Sequence, residues 1–251
     1  MAETYPAILL VHGFPFDHEQ WRPQLARLTR WRCMAPDLRG FTSGAAPAGG
    51  YSMRVYADDL VAVLDAAGIE RAVWCGLSMG GYILFDVLRR HPERVCGVIL
   101  CDTKAEPDTV EGKAGRDELA RVAEREGAAA IAERLLPKLL GATTRAQRPE
   151  VVATVRAMAS RLLVPGLVGA LQAMRERPDS GPVLEQIRVP ALVLGGSEDE
   201  ISPAAGMRAM AQRIRGARYE EVPDAGHLAP LERPELVNEA LEDFLLHTSF
   251  R

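Results

Sequence analysis

A serine flanked by glycines lies between an apolar run and a helical pattern near residue 78. The run Ala72-Val73-Trp74-Cys75 is followed by Gly76-Leu77-Ser78-Met79-Gly80-Gly81 and then by Tyr82-Ile83-Leu84-Phe85. This order predicts a nucleophile elbow, a strained strand-to-helix turn whose glycines allow neighbouring backbones to approach closely. The alternative is a glycine-rich structural turn that contains a serine by chance. The pattern favours Ser78 as a nucleophile.

A serine hydroxyl attacks only when a base takes its proton, and histidine is the usual base. His227 follows the last predicted strand, in the loop Asp224-Ala225-Gly226-His227-Leu228. A parallel sheet presents functional groups at the carboxyl ends of its strands, so this position suits a base. The other histidines have structural explanations in turns, loops or helix ends: His12, His18, His91 and His247. We therefore predict His227 as the base, with a hydrogen-bonded structural histidine as the alternative.

A carboxylate is needed to orient the histidine and to stabilise its imidazolium form. Asp199, in Gly195-Gly196-Ser197-Glu198-Asp199, follows the preceding predicted strand. Asp102 is the rival, because it also ends a predicted strand and its carboxylate could reach the same imidazole. Glu198 and Asp224 are weaker candidates. Asp199 is preferred, which gives the chain order serine, aspartate, histidine.

A tetrahedral oxyanion needs two N–H donors. The elbow supplies the backbone N–H of Met79, and the loop His12-Gly13-Phe14-Pro15 after the first predicted strand suits the Phe14 N–H as the second. A plain Gly-Pro turn is the alternative for this loop. Trp21 and Leu228 are predicted to bind the acyl part of a substrate.

The elements that must position these residues follow from the apolar pattern. Apolar runs of about five residues alternate with helical patterns, which is typical of βαβ units and of a parallel sheet covered on both faces. The predicted class is α/β, with a mostly parallel sheet of about six strands flanked by helices. The predicted strands are residues 7–11, 32–35, 72–75, 95–101, 191–194 and 218–222.

Three helices have clear end signals. The segment 55–67 is apolar mainly on one face, and Gly68 follows where a left-handed cap is expected. Ser202 and Pro203 predict the N-cap and first residue of a second helix, and Pro234 begins a third. The predicted buried face of the third helix contains Leu236, Val237, Ala240, Leu241, Phe244 and Leu245.

Between Cys101 and Val189 the strand pattern gives way to helical sequence rich in Ala, Leu, Arg and Glu. We predict about four helices here. An all-helical segment that interrupts a sheet pattern is more typical of a cap over one edge than of an independent domain. The predicted division is a core of residues 1–104 and 188–251 and a helical cap of residues 105–187.

Composition limits the classes of protein that fit. The 251 residues are 47% hydrophobic and 25% charged, which suits a globular protein and excludes disordered, fibrous and membrane classes. The formal charge is −4 without a long basic run, so nucleic acid is not an expected partner. The apolar run at residues 7–11 is too short for a secretion signal or a membrane span, which predicts a cytoplasmic protein. The four cysteines lack metal-ligand spacing, and neither a metal nor a cofactor is expected.

The motifs occur in a fixed order along nearly the whole chain: HGFP at 12–15, DLRG at 37–40, GLSMGG at 76–81, GGSED at 195–199 and AGH at 225–227. In this order they resemble the α/β-hydrolase superfamily, and within it small bacterial carboxylesterases and 3-oxoadipate enol-lactonases. The resemblance implies Ser78 as nucleophile, Asp199 as acid and His227 as base, with Phe14 and Met79 as oxyanion donors. It implies cleavage of a carboxylic ester or lactone through an acyl-enzyme. Serine at the elbow argues against epoxide-hydrolase and dehalogenase chemistry, because similar proteins of those kinds carry aspartate there.

Two features depart from the family pattern. Only six residues precede the first predicted strand, where the family usually has two antiparallel strands, so a six-stranded sheet is expected. After the Asp-x-Arg-Gly turn the chain reads Phe41-Thr42-Ser43-Gly44, where the family commonly has glycine and a small residue before serine. A different loop shape is expected there.

Other functions stay open on the sequence. A carbon–carbon bond hydrolase would need a cap arginine to bind a dienoic acid, and Arg116, Arg121, Arg134 and Arg161 are available. Attack of peroxide on the acyl-enzyme would be a side activity, and a ligand-binding receptor would keep a slow triad. The expected partner is a small ester or lactone, with a homodimer left open and neither nucleic acid nor a membrane expected.

Overall fold

The computed structural model describes residues 5–41 and 50–250. The predicted apolar runs form one six-stranded sheet, and every neighbouring pair of strands is parallel. The strands are β1 (Ala7–Val11), β2 (Cys33–Met34), β3 (Ala72–Leu77), β4 (Val95–Cys101), β5 (Ala191–Gly196) and β6 (Arg218–Val222). Their spatial order is β2-β1-β3-β4-β5-β6. The predicted α/β class with six strands is confirmed. Residues 42–44 of the unusual turn lie outside the described residues.

Twelve α-helices and two 3-10 helices, His18–Trp21 and Pro92–Arg94, connect these strands within the described residues. The α-helices are α1 (Arg22–Arg27), α2 (Met53–Ala66), α3 (Met79–Arg90), α4 (Val110–Glu126), α5 (Ala128–Leu139), α6 (Ala142–Gln147), α7 (Pro149–Ser160), α8 (Val164–Arg175), α9 (Gly181–Leu184), α10 (Ala204–Arg213), α11 (Ala229–Glu232) and α12 (Pro234–His247).

The sheet is covered on both faces by apolar side chains. Leu9 and Val11 of β1 join one buried cluster together with side chains of α2, α3 and α10. Ile8 and Leu10 join a second cluster together with side chains of α12. Successive strand residues point to opposite faces, so a continuous apolar strand supplies both clusters at once. The carboxyl ends of the strands then remain as the place where polar groups can converge.

The segment between β4 and β5 contains six helices, α4 to α9, where the sequence predicted about four. Helix α4 packs on α8, and α5 packs on α7. The two additional helices are short, six residues in α6 and four in α9. So few residues do not complete the two turns over which an amphipathic period becomes visible. We call α4 to α9 the cap helices; the division into core and cap at residues 105 and 187 stays a prediction.

Two local predictions are wrong: the first residue of α10 and the place of Leu236 on the buried face of α12. Pro203 is the N-cap of α10 and the helix begins at Ala204, because the Ser202 hydroxyl donates to the Asp102 carbonyl instead of capping the helix. Leu236 of α12 is 40% exposed, since it lies beside the i, i+3, i+4 stripe that begins at Val237. The predicted cap at Gly68 is confirmed by its φ of 66°.

Within the described residues, no single helix has both the length and the apolar character needed to cross a membrane. The consecutive helices α7 and α8 meet that test only as a pair, by length and composition, and they are bent by 97°.

Candidate active site

Ser78 occupies the turn between β3 and α3 with φ 51° and ψ −110°, a backbone conformation that costs energy for a residue with a side chain. A Cβ atom on Gly76 would lie 2.6 Å from the Gly80 backbone, and one on Gly80 would lie 2.3 Å from the Val11 carbonyl oxygen. Only glycine permits these approaches. The Thr103 hydroxyl donates to the Ser78 carbonyl oxygen at 2.8 Å, which also supports the strained turn.

Ser78, His227 and Asp199 form one hydrogen-bonded chain. His227 Nδ1 lies 2.8 Å from Asp199 Oδ2, and His227 Nε2 lies 2.8 Å from Ser78 Oγ. An ionised carboxylate only accepts, so Nδ1 carries the proton and Nε2 accepts the serine O–H. All three residues are buried, with 7%, 2% and 5% of their surfaces exposed for Ser78, His227 and Asp199. The arrangement lets Nε2 take the serine proton directly.

The surroundings of Asp199 keep it ionised. Burial by itself raises the pKa of Asp199, but the charge on His227 and hydrogen bonds from the imidazole and from two backbone N–H groups outweigh burial and lower the pKa. Those N–H groups belong to Ile201 and Ser202, which donate to Asp199 Oδ1 at 2.7 and 3.0 Å. A carboxylate held in this way can stabilise an imidazolium.

Asp102, the rival acid, lies at the end of β4 without a hydrogen bond to the imidazole. Its Oδ1 accepts the Gly196 N–H at 2.8 Å, and its Oδ2 has no partner among the described residues. The side chain is fully buried. Burial, followed by the negative charge of Asp199, raises the pKa of Asp102 well above its usual range. The pKa values of Asp102 and Asp199 are therefore shifted in opposite directions.

The loop after β1 lies against the elbow. A Cβ atom on Gly13 would lie 3.4 Å from the Ser78 Cβ. The Gly13 N–H donates to Gln20 Oε1 at 2.9 Å, and within residues 5–41 and 50–250 the Phe14 N–H has no partner. Met79 is the first residue of α3, so its N–H has no acceptor inside the helix. Among the described residues neither N–H has a hydrogen-bond partner, so both are available for the oxyanion role that the sequence predicts.

Trp21 and Leu228 were predicted to bind the acyl part of a substrate. Both are fully buried and belong to the same apolar cluster, the one that contains Ile8 and Leu10. Their part in substrate binding stays a prediction.

Three of the four cap arginines that a dienoic acid would need already pair with carboxylates of the protein. Arg116 contacts Asp108 at 3.1 Å, and Arg161 contacts Asp17 at 2.6 Å. Arg121 contacts Glu118, and Arg134 lies exposed on α5. These contacts give carbon–carbon bond hydrolysis no specific support.

The ligand atoms of Asp17, His18 and Asp37 lie within 4.8 Å of one another, a grouping that the sequence did not predict. Asp37 Oδ1 accepts the His18 backbone N–H and lies 2.7 Å from His18 Nδ1. Asp17 accepts two bonds from Arg161 and the Glu19 N–H. Since each carboxylate already has protein donors, hydrogen bonding within the chain explains this cluster.

The sequence did not predict two residues whose hydrogen bonds support the loops of the site. Gln20 holds the loop after β1 through the Gly13 N–H, and Thr103 holds the elbow through the Ser78 carbonyl. Thr103 carried a weak signal, since it follows the last residues of a predicted strand. Gln20 carried none, because its contact depends on how the 3-10 helix folds back.

The family described as alpha/beta hydrolase fold matches residues 6–234 of this chain. An esterase from Thermogutta terrifontis, solved with malate bound, is 41% identical with a TM-score of 0.94, covering 98% of this chain and 92% of the other. The enol-lactonase from Burkholderia xenovorans LB400 is 33% identical with a TM-score of 0.89, covering 98% and 93%. The 3-oxoadipate enol-lactonase 2 of Acinetobacter baylyi is 26% identical over 94% of this chain and 87% of the relative. On the extent of these matches, the chain belongs to the α/β-hydrolase family.

Proposed function

We propose that this protein is a serine hydrolase that cleaves carboxylic esters, including lactones. The observation that carries the proposal is the chain of two 2.8 Å contacts from Ser78 Oγ through His227 to Asp199. The N–H groups of Phe14 and Met79, which have no partner among the described residues, support it. Similarity to a named esterase and to named enol-lactonases supports esters and lactones as the substrate class.

In the proposed reaction, Ser78 Oγ attacks the ester carbonyl carbon while His227 Nε2 takes the hydroxyl proton. The N–H groups of Phe14 and Met79 bind the resulting oxyanion. Asp199 stabilises the imidazolium, which then gives its proton to the departing alkoxide oxygen. Water attacks the acyl-enzyme by the same path, releasing the acid and restoring the Ser78 hydroxyl.

In this proposal the cap helices set the size of the acyl group that reaches Ser78. Only 7% of the serine surface is exposed, so access of substrate to Ser78 is restricted in this structure. Trp21 and Leu228 are proposed to form part of the apolar floor beneath the acyl group.

The test is hydrolysis of p-nitrophenyl esters from acetate to decanoate, and of a small lactone, by the wild type and by Ser78→Ala. We expect a chain-length optimum for the wild type and a loss of about 10³-fold or more in kcat for the variant, with an unchanged melting temperature. Undiminished turnover by Ser78→Ala would contradict the mechanism. A folded wild type that hydrolyses no ester or lactone would remove the proposed substrate class, and dienoic acids would be tested next.

A further inference from the structure

Glu232, the last residue of α11, has a carboxylate that is fully buried. Arg148 and Arg233 donate to its main-chain carbonyl and not to its carboxylate. Burying an ionised carboxylate is costly unless hydrogen bonds replace its water. Here three backbone N–H groups donate hydrogen bonds to the carboxylate, and the positions of these donors indicate the role of Glu232.

Two of the three donors stand on either side of the proposed base. Gly226 N–H and Leu228 N–H donate to Glu232 Oε1 at 3.0 and 3.1 Å. These bonds hold the peptide groups before and after His227, and thereby the direction in which its side chain leaves the backbone. Both imidazole contacts, at 2.8 Å, depend on that direction.

The third donor comes from the cap helices. Gly141, the N-cap of α6, donates its N–H to Glu232 Oε2 at 2.8 Å. The two loops approach so closely that a Cβ on Gly226 would lie 2.2 Å from Gly141 N. One carboxylate therefore joins the loop that carries His227 to the start of α6.

Glu198, which precedes Asp199, makes a parallel link to the same part of the cap. Its carboxylate accepts the Thr143 N–H at 2.9 Å and also the Thr143 hydroxyl. These bonds lower the pKa of Glu198 and keep it ionised. The segment 141–143 is thus bound by carboxylates that lie next to the base and next to the acid.

We propose that Glu232 is a positioning residue for His227, acting by binding the N–H groups of Gly226 and Leu228. Its bond to Gly141 then makes the alignment of the triad depend on how the cap helices pack against the loop that carries His227. The inference rests on the proposed function, in which His227 is the base. A misplacement of a catalytic group by about 1 Å can cost about 10²-fold in rate, which sets the expected size of the effect.

The test compares Glu232→Ala, Glu232→Gln and Gln24→Met. Alanine removes all three acceptors. In the glutamine variant the amide oxygen can still accept from Gly226 and Leu228, while its NH₂ group faces the Gly141 N–H and loses only the cap bond. Gln24 is the matched control, because its buried amide donates to the Pro230 carbonyl of the same helix at 3.1 Å without touching Glu232.

Two rates are measured well below each melting temperature: turnover of a p-nitrophenyl ester, and labelling of Ser78 by a fluorophosphonate. In labelling, the Ser78 Oγ–P bond forms, the P–F bond breaks, fluoride leaves and the serine proton passes to His227. We expect kcat and the labelling rate to fall about 10²-fold in Glu232→Ala and about three- to tenfold in Glu232→Gln, with KM within about threefold. Gln24→Met is expected to lower the melting temperature while both rates stay within about twofold.

A fall of less than about tenfold in Glu232→Ala, or an equal fall in Gln24→Met, overturns the proposal. If Glu232→Ala does not fold, Glu232→Gln decides by the same comparison with Gln24→Met, and rates equal to the control overturn it. Labelling of wild-type Ser78 without any ester turnover would reject the proposed function while leaving this test intact. Normal ester turnover with unchanged Glu232 variants would reject the inference alone.

Discussion

The carboxyl ends of β4 and β5 are each followed by a buried aspartate, yet the pKa values of the two residues are shifted in opposite directions. Asp199, after β5, accepts bonds from the His227 imidazole and from the Ile201 and Ser202 N–H groups, and its pKa is lowered. Asp102, after β4, accepts one bond, from the Gly196 N–H, and its pKa is raised by burial and by the charge of Asp199. Both residues follow a strand end, so this position does not explain why their pKa values shift in opposite directions.

The neighbouring charge and the hydrogen-bond donors together set the direction of each shift. At Asp199 the charge of His227, followed by hydrogen bonds from the imidazole and from two backbone N–H groups, outweighs burial, whereas at Asp102 one N–H donor acts against burial and neighbouring negative charges. Ionisation of Asp199 then further disfavours a second charge at Asp102. Two neighbouring carboxyl groups whose environments push their pKa values apart are frequent in active sites.

The largest effect is expected from Asp199→Asn. The amide can keep the Oδ1 bonds from Ile201 and Ser202 while presenting an NH₂ group to His227, which favours the imidazole tautomer that cannot accept the serine proton at Nε2. We expect kcat/KM for ester hydrolysis to fall about 10³- to 10⁴-fold in a folded protein. Steady-state kinetics and the melting temperature check this, and activity within tenfold of wild type would mean that Asp199 is not the acid.

A much smaller change in activity is expected from Asp102→Asn, because asparagine, like a protonated carboxyl group, carries no charge. Activity should stay within about threefold of wild type, since the imidazole has no bond to this residue. A raised folded-state pKa means that the folded protein holds a proton that the unfolded chain releases above about pH 4, so stability falls as pH rises from there toward the folded pKa.

Asparagine removes that proton linkage. The melting temperature of Asp102→Asn minus that of wild type should therefore increase between pH 5 and pH 8, as measured by thermal denaturation across the range. Loss of activity comparable to that of Asp199→Asn would instead make Asp102 the acid.

The smallest effect is expected from Ser202→Ala, which removes the hydroxyl that joins the two strand ends. Ser202 Oγ donates to the Asp102 carbonyl at 3.2 Å, and its backbone N–H bond to Asp199 survives the change. We expect a loss of about 1 kcal/mol in the free energy of unfolding by urea, with kcat within about twofold. Ser160→Ala, which removes an exposed hydroxyl bond to the Arg156 carbonyl, is the control and should change neither. A kcat loss above tenfold in Ser202→Ala would show that the two ends are coupled through this bond.

Much of the site was predictable from local sequence. The elbow around Ser78 was predictable because strain, close glycines and an adjoining strand and helix leave a signature within a few residues. The six strands were predictable because burial on both faces requires continuous apolar runs. The short helices α6 and α9 were missed because they complete too few turns to show a period.

Contacts between distant segments were not predictable. Gln20 beneath the Gly13 N–H, and Glu232 beneath the backbone on either side of His227, are polar residues with no distinctive spacing. Their importance comes from the backbone N–H groups that donate hydrogen bonds to them. Those hydrogen bonds depend on how the loops at the sheet edge pack against one another and against the cap helices.

Local patterns in the sequence predict the sheet, the order of its strands along the chain, and the set of serine, histidine and aspartate residues that follow strand ends. The sequence favours Asp199 over Asp102 as the acid without describing the surroundings of either residue. The tertiary structure shows that Asp199, and not Asp102, lies 2.8 Å from His227 Nδ1 and that its pKa is lowered while that of Asp102 is raised, because a pKa depends on desolvation and on the charges and donors nearby. These quantities come from segments far apart in the chain, which periodicity and local spacing do not describe.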